Sequence, residues 1–327
     1  MFEKFIFQVP VEFQYGIATK SLERFGSIIK DTQTGKIVAH LQETSLGQQL
    51  VGSLAGSPFS ALDATSSLVA NAQLAQLKKM VEGLQVLQYA NLGVGLAGIG
   101  VSVVGFAVVS KKLSSIKQTL EKLSRKIDQK FAELYLNQLY RDLHSLRGVL
   151  EGIEATKRLS APKAELLSAA SRLSELRSGI RGHIEYQLQQ NTFDEQLFTQ
   201  LTSALLLSDN ARVEAYLLAD EYDSAHYNSV SIADSYSELF DELTPYDLSQ
   251  KRLIMHQDLR ERVSGEHANK TAGVKNLVTG LRDVTDAAMT KPILIEELDA
   301  RGISGPEYIR SLKDESEEPI VLLKFEG

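Results

Sequence analysis

The feature that most constrains this chain is an uncharged stretch in its first third. Residues 83–110 contain no Asp, Glu, Lys or Arg, and residues 91–112 read NLGVGLAGIGVSVVGFAVVSKK, with five glycines. About 20 consecutive apolar residues span a bilayer core as a helix, whereas a long apolar run in a soluble protein is buried in the core. The stretch therefore predicts either a segment that enters membrane or a buried helical hairpin.

A nucleotide-binding loop is a third interpretation, because Gly93, Gly95 and Gly98 match the pattern G-x-G-x-x-G. That fingerprint requires a preceding strand and an acidic residue at the end of a second strand about 20 residues later. The sequence at that distance, SSIKQTLEKL, has helical spacing instead, and no Gly-Lys-Ser/Thr follows the glycines. We therefore expect no nucleotide and no other cofactor.

The membrane interpretation is supported by the arrangement of small residues. Gly93, Ala97, Gly100 and Ala107 fall on one face of a helix, and such a face lets helices approach closely in lipid. The predicted membrane-inserting residues are Leu92, Gly93, Val94, Gly95, Leu96, Ala97, Gly98, Ile99, Gly100, Val101, Val103, Val104, Gly105, Phe106, Val108 and Val109.

Basic residues follow this segment at once. Residues 111–130 carry seven basic side chains against Glu121 and Asp128, a local balance of +5. Lysine side chains can snorkel to the headgroup level, and each cation near an anionic leaflet contributes about 1 kcal/mol. The predicted headgroup contacts are Lys111, Lys112, Lys117, Lys122, Arg125 and Lys126.

The buried-hairpin alternative rests on the glycines. Each glycine in a helix interior costs about 1 kcal/mol relative to alanine, so five of them favour a tight turn near residues 98–100. The two interpretations are compatible, because an apolar segment held between long helices can be buried in one form and released in another.

Helical patterns flank the stretch on both sides. Apolar residues recur at steps of three and four from Ala70 to Leu84 before it and from Val109 to Ile127 after it, as in a coiled coil. We predict a mainly α fold, an elongated helical bundle with long coiled-coil-like arms around an apolar insert, residues 90–110. A small β-containing cap formed by the termini completes the prediction.

This organisation resembles that of the α-helical pore-forming toxins, such as cytolysin A and the haemolysin BL components. The resemblance is carried by the arm ATSSLVANAQLAQLKKMVEGLQVLQ, the insert ANLGVGLAGIGVSVVGFAVVS and the arm KKLSSIKQTLEKLSRKIDQKFAEL, about a fifth of the chain. It is a resemblance of layout. It implies a soluble form that converts to a membrane-inserted oligomer.

Four regions are expected along the chain. The strand-like FIFQV, and two further strands around a turn at residues 31–35, predict a small β cap over residues 1–45. A helical stem follows over residues 46–158. An acidic helical bundle over residues 159–292 and a C-terminal β/α segment over residues 293–327 complete the division.

Capping and breaking signals set the boundaries in the second half. Ser160 and the capping box Thr192-x-x-Glu195 predict helix starts, and Thr244-Pro245 and Lys291-Pro292 predict breaks. ILIEEL and PIVLLKF are strand-like and flank a short helix near Pro306. We expect one of these two strands to pair with the N-terminal cap.

Acidic residues are concentrated over residues 194–247, where Arg212 is the only Lys or Arg. Five tyrosines are interleaved with them. The ordinary interpretation is solvated helix faces with tyrosines at the edges of the core. The sharper one is an acidic surface that binds a protein partner, or docks on residues 111–130 in a resting form. The acidic residues are Asp194, Glu195, Asp209, Glu214, Asp220, Glu221, Asp223, Asp234, Glu238, Asp241, Glu242 and Asp247.

Catalytic signals are weak. The chain has no cysteine, which excludes thiol nucleophiles and zinc–thiolate sites, and its six histidines have no metal-ligand spacing. Asp223 and His226 can share a helix face as an acid–base pair, but an exposed ion pair is the ordinary outcome. We predict no enzyme, no catalytic residue and no metal site. A hydrolase that uses Asp223 and His226 is the weakest alternative.

The functional prediction follows from the apolar segment. We predict a membrane-acting effector or toxin, pore-forming or membrane-disrupting, that inserts residues 92–109 and forms a homo-oligomer. The alternative is a soluble helical scaffold or binding module with a permanently buried hairpin. The net charge of −7 argues against nucleic acid as a partner. The first residues show no Sec signal peptide, so we expect a cytoplasmic form that becomes membrane-associated, or export by another route.

Overall fold

The computed structural model describes residues 11–25, 27–43, 129–156, 158–190, 195–256, 266–314 and 320–324. These residues are mainly helical and include one small antiparallel sheet, as predicted. The helices are α1 (Val11–Ala18), α2 (Gln129–Thr156), α3 (Lys163–Gln189), α4 (Glu195–Leu218), α5 (Tyr222–Phe240), α6 (Pro245–His256), α7 (Glu266–Ala300) and α8 (Gly305–Asp314). The strands are β1 (Leu22–Phe25), β2 (Ile28–Asp31), β3 (Ile37–Glu43) and β4 (Ile320–Lys324).

The sheet joins the two terminal regions of the chain. Its order is β1-β2-β3-β4, and β4 pairs antiparallel with β3, with His40 opposite Leu323. The predicted turn between β2 and β3 is confirmed. The backbone N–H groups of Gln33 and Thr34 donate to Oδ1 of Asp31 at 3.0 and 2.7 Å, a local bond that favours a turn. Helix α1 was not predicted from the sequence, where residues 1–45 were expected to form only a small β cap.

Helices α2 and α3 form an antiparallel pair. The buried residues of α2 are spaced by three or four positions, and those of α3 follow the same rule, so each helix buries one stripe. The α2 stripe comprises Leu139, Leu143, Leu146, Val149, Leu150 and Ile153. Helix α3 begins at Lys163 with Pro162 at its N-cap, close to the boundary predicted from Ser160.

Helix α4 is the centre of the helical body. Residues 201–211 are all buried, because α4 packs against α3 and α5 and meets α8 at its C-terminal end. The core cluster extends from Leu139 in α2 to Leu312 in α8. A central helix covered on several sides contributes most to such a core.

Two predictions about the last third are wrong. Helix α7 runs through Lys291-Pro292, so neither the break at that dipeptide nor the strand ILIEEL exists. Leu294, Ile295 and Leu298 are buried at helical spacing. Their packing outweighs the loss of one backbone hydrogen bond at the proline. The predicted division at residue 292 therefore falls inside a continuous helix.

Other boundary predictions are confirmed. Helix α6 begins at Pro245, where the Thr244 hydroxyl accepts from the backbone N–H of Asp247 at 3.1 Å and donates to its carboxylate, a reciprocal N-terminal cap. A helix begins at Gly305 next to Pro306, and PIVLLKF contributes β4. The strand FIFQV, the arms preceding α2, the apolar insert and the Thr192 cap lie outside the described residues.

Candidate functional site

The predicted membrane-inserting residues 92–109 and the headgroup contacts of residues 111–126 lie outside the part of the chain that the structure describes. None of the helices described combines the length and apolar character that a membrane crossing requires. Within the described residues, two features stand out as candidate functional elements. One is a cluster of buried polar side chains, and the other is an acidic surface.

The helical body consists of two groups of helices. Helix α3 packs most extensively on α4, with α2 beside α3, while α5 packs most extensively on α7. Polar side chains connect the two groups in the interior. We call this set the polar seam, and it comprises Arg177, Asp209, Asn210, Arg212, Asn228, Tyr236 and Lys291.

Asp209 is the centre of the polar seam. Its side chain is 1% exposed. Oδ1 lies 2.6 Å from Nε of Arg177, and Oδ2 accepts a 2.8 Å hydrogen bond from the Tyr236 hydroxyl. One carboxylate thereby contacts side chains from α3 and α5 while it belongs to α4.

Burial changes the titration of this cluster. It raises the pKa of Asp209, although Arg177, Tyr236 and Arg212 all act to lower it. Burial and the Asp209 charge also raise the pKa of Tyr236 well above its usual value. The charged form of Asp209 is thus disfavoured in the fold relative to water, so the ion pair does not fully offset the desolvation of its carboxylate.

Two further polar contacts extend the seam. Nζ of Lys291 in α7 donates to Oδ1 of Asn210, and Nη2 of Arg212 donates to Oδ1 of Asn228 in α5. Nη2 of Arg177 and Nε of Arg212 are buried without a hydrogen-bond partner among the described residues. Unsatisfied buried donors carry a desolvation penalty, so this interface is polar but incompletely compensated.

The seam reaches the surface at Arg181 of α3. This guanidinium donates to Ser235 at 2.8 Å and to Glu238 at 2.7 Å, both in α5, and to Glu185 in its own helix at 2.7 Å. Burial lowers its pKa, but the bonds to the two glutamates outweigh that effect and the net shift is upward. Arg181 is therefore a second, solvent-accessible connection between the two helix groups.

Sequence reasoning missed the polar seam. It treated Asp209 and Glu214 as members of solvated helix faces, yet both are buried, and Tyr236 is buried as well. A signal was present in the sequence. The triplet Ser208-Asp209-Asn210 interrupts an otherwise apolar helix, and buried polar residues require partners.

The acidic surface extends over fewer residues than the predicted range of residues 194–247. Residues 219–247 contain eight acidic side chains and no Lys or Arg, and seven of the eight are exposed, Glu221 being half-buried. Tyr227 and Tyr246 are 73% and 70% exposed beside them. The acidic residues are Asp220, Glu221, Asp223, Asp234, Glu238, Asp241, Glu242 and Asp247.

The predicted Asp223–His226 pair is replaced by another. Nε2 of His226 lies 2.9 Å from Oε1 of Glu296 in α7, which ties α5 to α7 at the surface. Within the described residues, no group of three or more His, Asp or Glu side chains is arranged to hold a metal ion.

The described residues of the helical body line a groove and a cleft. A groove of about 560 Å³ between α2 and α3 is lined largely by small residues, including Gly148, Gly152 and Ala164. A cleft of about 410 Å³ lies where the α4–α5 and α7–α8 connections meet. In this cleft the Tyr222 hydroxyl donates to the backbone oxygen of Ile303 at 2.5 Å, and burial, with Asp220 and Asp299, raises the pKa of Tyr222 to about 12.

Comparisons with protein-family models, with curated proteins and with solved structures find no match to this chain.

Proposed function

We propose that this protein acts on membranes by inserting residues 92–109 and oligomerising through their small-residue face. The observation that carries the proposal is the uncharged run of residues 83–110, bounded by Glu82 and followed by a basic segment. Such a run is long enough to span a bilayer. The resemblance of layout to the α-helical pore-forming toxins points in the same direction.

The helical body supports the proposal indirectly. Among the described residues, its core cluster is built from residues between Leu139 and Leu312, all of which follow the apolar run in sequence. A body with a core of its own can carry an apolar segment that serves another purpose. The basic residues 111–126 then lie between the inserted segment and the body, at the level of the headgroups.

A second candidate function is protein binding through the acidic surface. The two highly exposed tyrosines, Tyr227 and Tyr246, favour it. Tyrosine is enriched at protein–protein interfaces because its ring is apolar while its hydroxyl can bind water or a polar partner. In this alternative the apolar run is a permanently buried hairpin, and the protein is a scaffold. We propose no catalytic role for the acidic surface or for the apolar run.

Dye release from liposomes distinguishes the two functions. We expect the intact chain to release dye from anionic vesicles and a chain lacking residues 92–109 to release none. The sharper comparison is between Gly98→Lys and Gly98→Ala. A lysine near the middle of a spanning helix costs about 3 kcal/mol, whereas alanine costs nothing in lipid and favours a helix.

The two variants also test the alternative directly. For an inserting segment, Gly98→Lys abolishes release while the thermal unfolding of the protein is unchanged, and Gly98→Ala retains release. For a buried hairpin, Gly98→Lys lowers the unfolding temperature and no variant releases dye. The second outcome contradicts the proposal and assigns the protein to the scaffold class.

A further inference from the structure

The two helix groups are held together differently at their two ends. Where α4 leads into α5, Oδ1 of Asp220 accepts from the backbone N–H of Gly305 at 2.9 Å, and Tyr222 bonds to Ile303. Gly305 lies so close to α4 that a Cβ there would be 2.1 Å from the backbone oxygen of Leu217. Because each of these contacts involves a backbone group of residues 303–305, this end of the body is tight and fixed.

The opposite end is held by side chains. Arg181 reaches Ser235 and Glu238 near the end of α5, and Tyr236 reaches Asp209 deeper in the body. Helices α4 and α5 are antiparallel here, since Asp209 meets Tyr236 while Arg212 meets Asn228. The end of α5 therefore lies far from the fixed connection at residues 219–222.

We propose that the polar seam is a parting plane, along which α5 and α7 separate from α3 and α4 while the connection at residues 219–222 acts as a hinge. Among the described helices, α3 packs most extensively on α4 and α5 on α7, and such contacts resist exposure to water because exposure of apolar area costs free energy. Buried polar groups lose less on separation, since water replaces their partners. Because α4 packs less extensively on α5 than on α3, and the polar seam lies between the two groups, the body opens at this interface.

The incomplete satisfaction of the seam strengthens this inference. Nη2 of Arg177 and Nε of Arg212, both in the seam, and Oγ of Ser229, which follows Asn228 in α5, are buried without hydrogen-bond partners among the described residues, and water would satisfy all three on opening. A buried ion pair fixes orientation more than it stabilises. The seam therefore fixes one closed arrangement of the two helix groups. Local fluctuations are sufficient to separate the groups along it.

Because the chain has no cysteine, a pair of introduced cysteines can be cross-linked specifically in the intact chain. In the double variant Arg181→Cys/Glu238→Cys, a short bismaleimide cross-linker joins α3 to α5 across the seam. In the matched control Arg181→Cys/Glu185→Cys, the same reagent links two positions of α3. Both variants lose Arg181 and one of its two glutamate partners, so they differ in what the link joins.

Native-state hydrogen exchange of residues 205–212 and 228–240 is the primary measurement. We expect the cross-seam link to slow exchange of these amides by about tenfold or more, and the control link to change it less than about twofold. Equal exchange in the linked and unlinked cross-seam variant would overturn the inference. This arm requires no lipid, so its outcome is independent of the proposed membrane function.

Dye release adds the functional arm, which rests on the proposed function. If seam opening is part of membrane action, the cross-seam link abolishes release and the control link does not. If the unlinked proteins release no dye, the proposed membrane function is wrong. The exchange result still shows whether α5 and α7 separate from α3 and α4 at the parting plane. If the cross-seam linked protein releases dye normally, separation at the seam has no role in membrane action.

Discussion

The hydroxyl of Tyr236 donates a 2.8 Å hydrogen bond to Oδ2 of Asp209 inside the helical body. Because the two residues come from consecutive helices and both are buried, this bond fixes how α5 lies against α4. Arg177 of α3 contacts the other oxygen of the same carboxylate at 2.6 Å. One acidic side chain therefore orients three helices.

Removal of this carboxylate is expected to destabilise the protein strongly. Asp209→Ala leaves the buried Arg177 charge without its partner, which costs about 3–5 kcal/mol of unfolding free energy. Tyr236→Phe removes one hydrogen bond and costs about 1–2 kcal/mol. Urea denaturation followed by circular dichroism measures both. A loss of under about 1 kcal/mol for Asp209→Ala would mean that the ion pair does not form.

The matched control replaces all three polar groups together. Arg177→Met/Asp209→Leu/Tyr236→Phe removes the charges along with their partners, so we expect a stability within about 1–2 kcal/mol of the wild type or above it. A triple variant as unstable as Asp209→Ala would indicate that the polar groups stabilise the body in their own right.

The sheet should weaken in mild acid because of His40. This side chain is fully buried in β3, and burial lowers its pKa to about 4 from an ordinary value of 6.5. Between about pH 4 and pH 6.5 the unfolded chain therefore binds a proton at His40, and the folded chain does not. The stability that neutral His40 contributes is present above pH 6.5 and is lost as the pH falls toward 4.

The expected loss between pH 7 and pH 5 is about 2 kcal/mol, from the linkage between proton binding and folding. Other groups titrate in the same range, so the measurement compares the wild type with His40→Gln, which cannot take up this proton. We expect urea midpoints to fall more steeply with acid for the wild type than for the variant. If the urea midpoints of the two proteins fell equally with acid, protonation of His40 would not be the cause of the loss.

Two glycines offer a paired test of packing. A methyl group at Gly305 would lie 2.1 Å from a backbone oxygen of α4, whereas the described structure has no atom within 4 Å of one at Gly148. Gly305→Ala should therefore cost about 2 kcal/mol or more through overpacking. Gly148→Ala should stabilise α2 by about 0.5–1 kcal/mol. Thermal unfolding ranks the two variants, and a tolerated Gly305→Ala would contradict the tight contact.

The fold was predictable from sequence where local signals agree with packing. The helix start near Ser160, the short helix near Pro306 and the turn at Asp31 all express short-range chemistry, and the structure confirms them. The run ILIEEL misled, because its β-branched residues favour a strand while its burial pattern in the fold is helical. Tertiary packing decided that segment.

The polar seam could not be predicted as a site, because its members lie far apart in the chain. Arg177, Asp209, Tyr236 and Lys291 meet only when four helices pack, and no short motif connects them. The charge pattern of residues 194–247 even pointed away from it, since most acidic runs are solvated. The apolar segment of residues 92–109, in contrast, can be recognised from its composition alone.

A single environment-sensitive fluorescent label tests whether residues 92–109 insert into the bilayer. Because the chain has no cysteine, Ser102→Cys carries the only fluorophore, and Ser178→Cys on the exposed face of α3 is the control. With anionic vesicles we expect a blue-shifted, brighter emission at position 102 that nitroxide-labelled lipid tails quench, and no change at position 178. Unchanged emission at position 102, whether or not the protein binds the vesicles, would show that residues 92–109 do not insert.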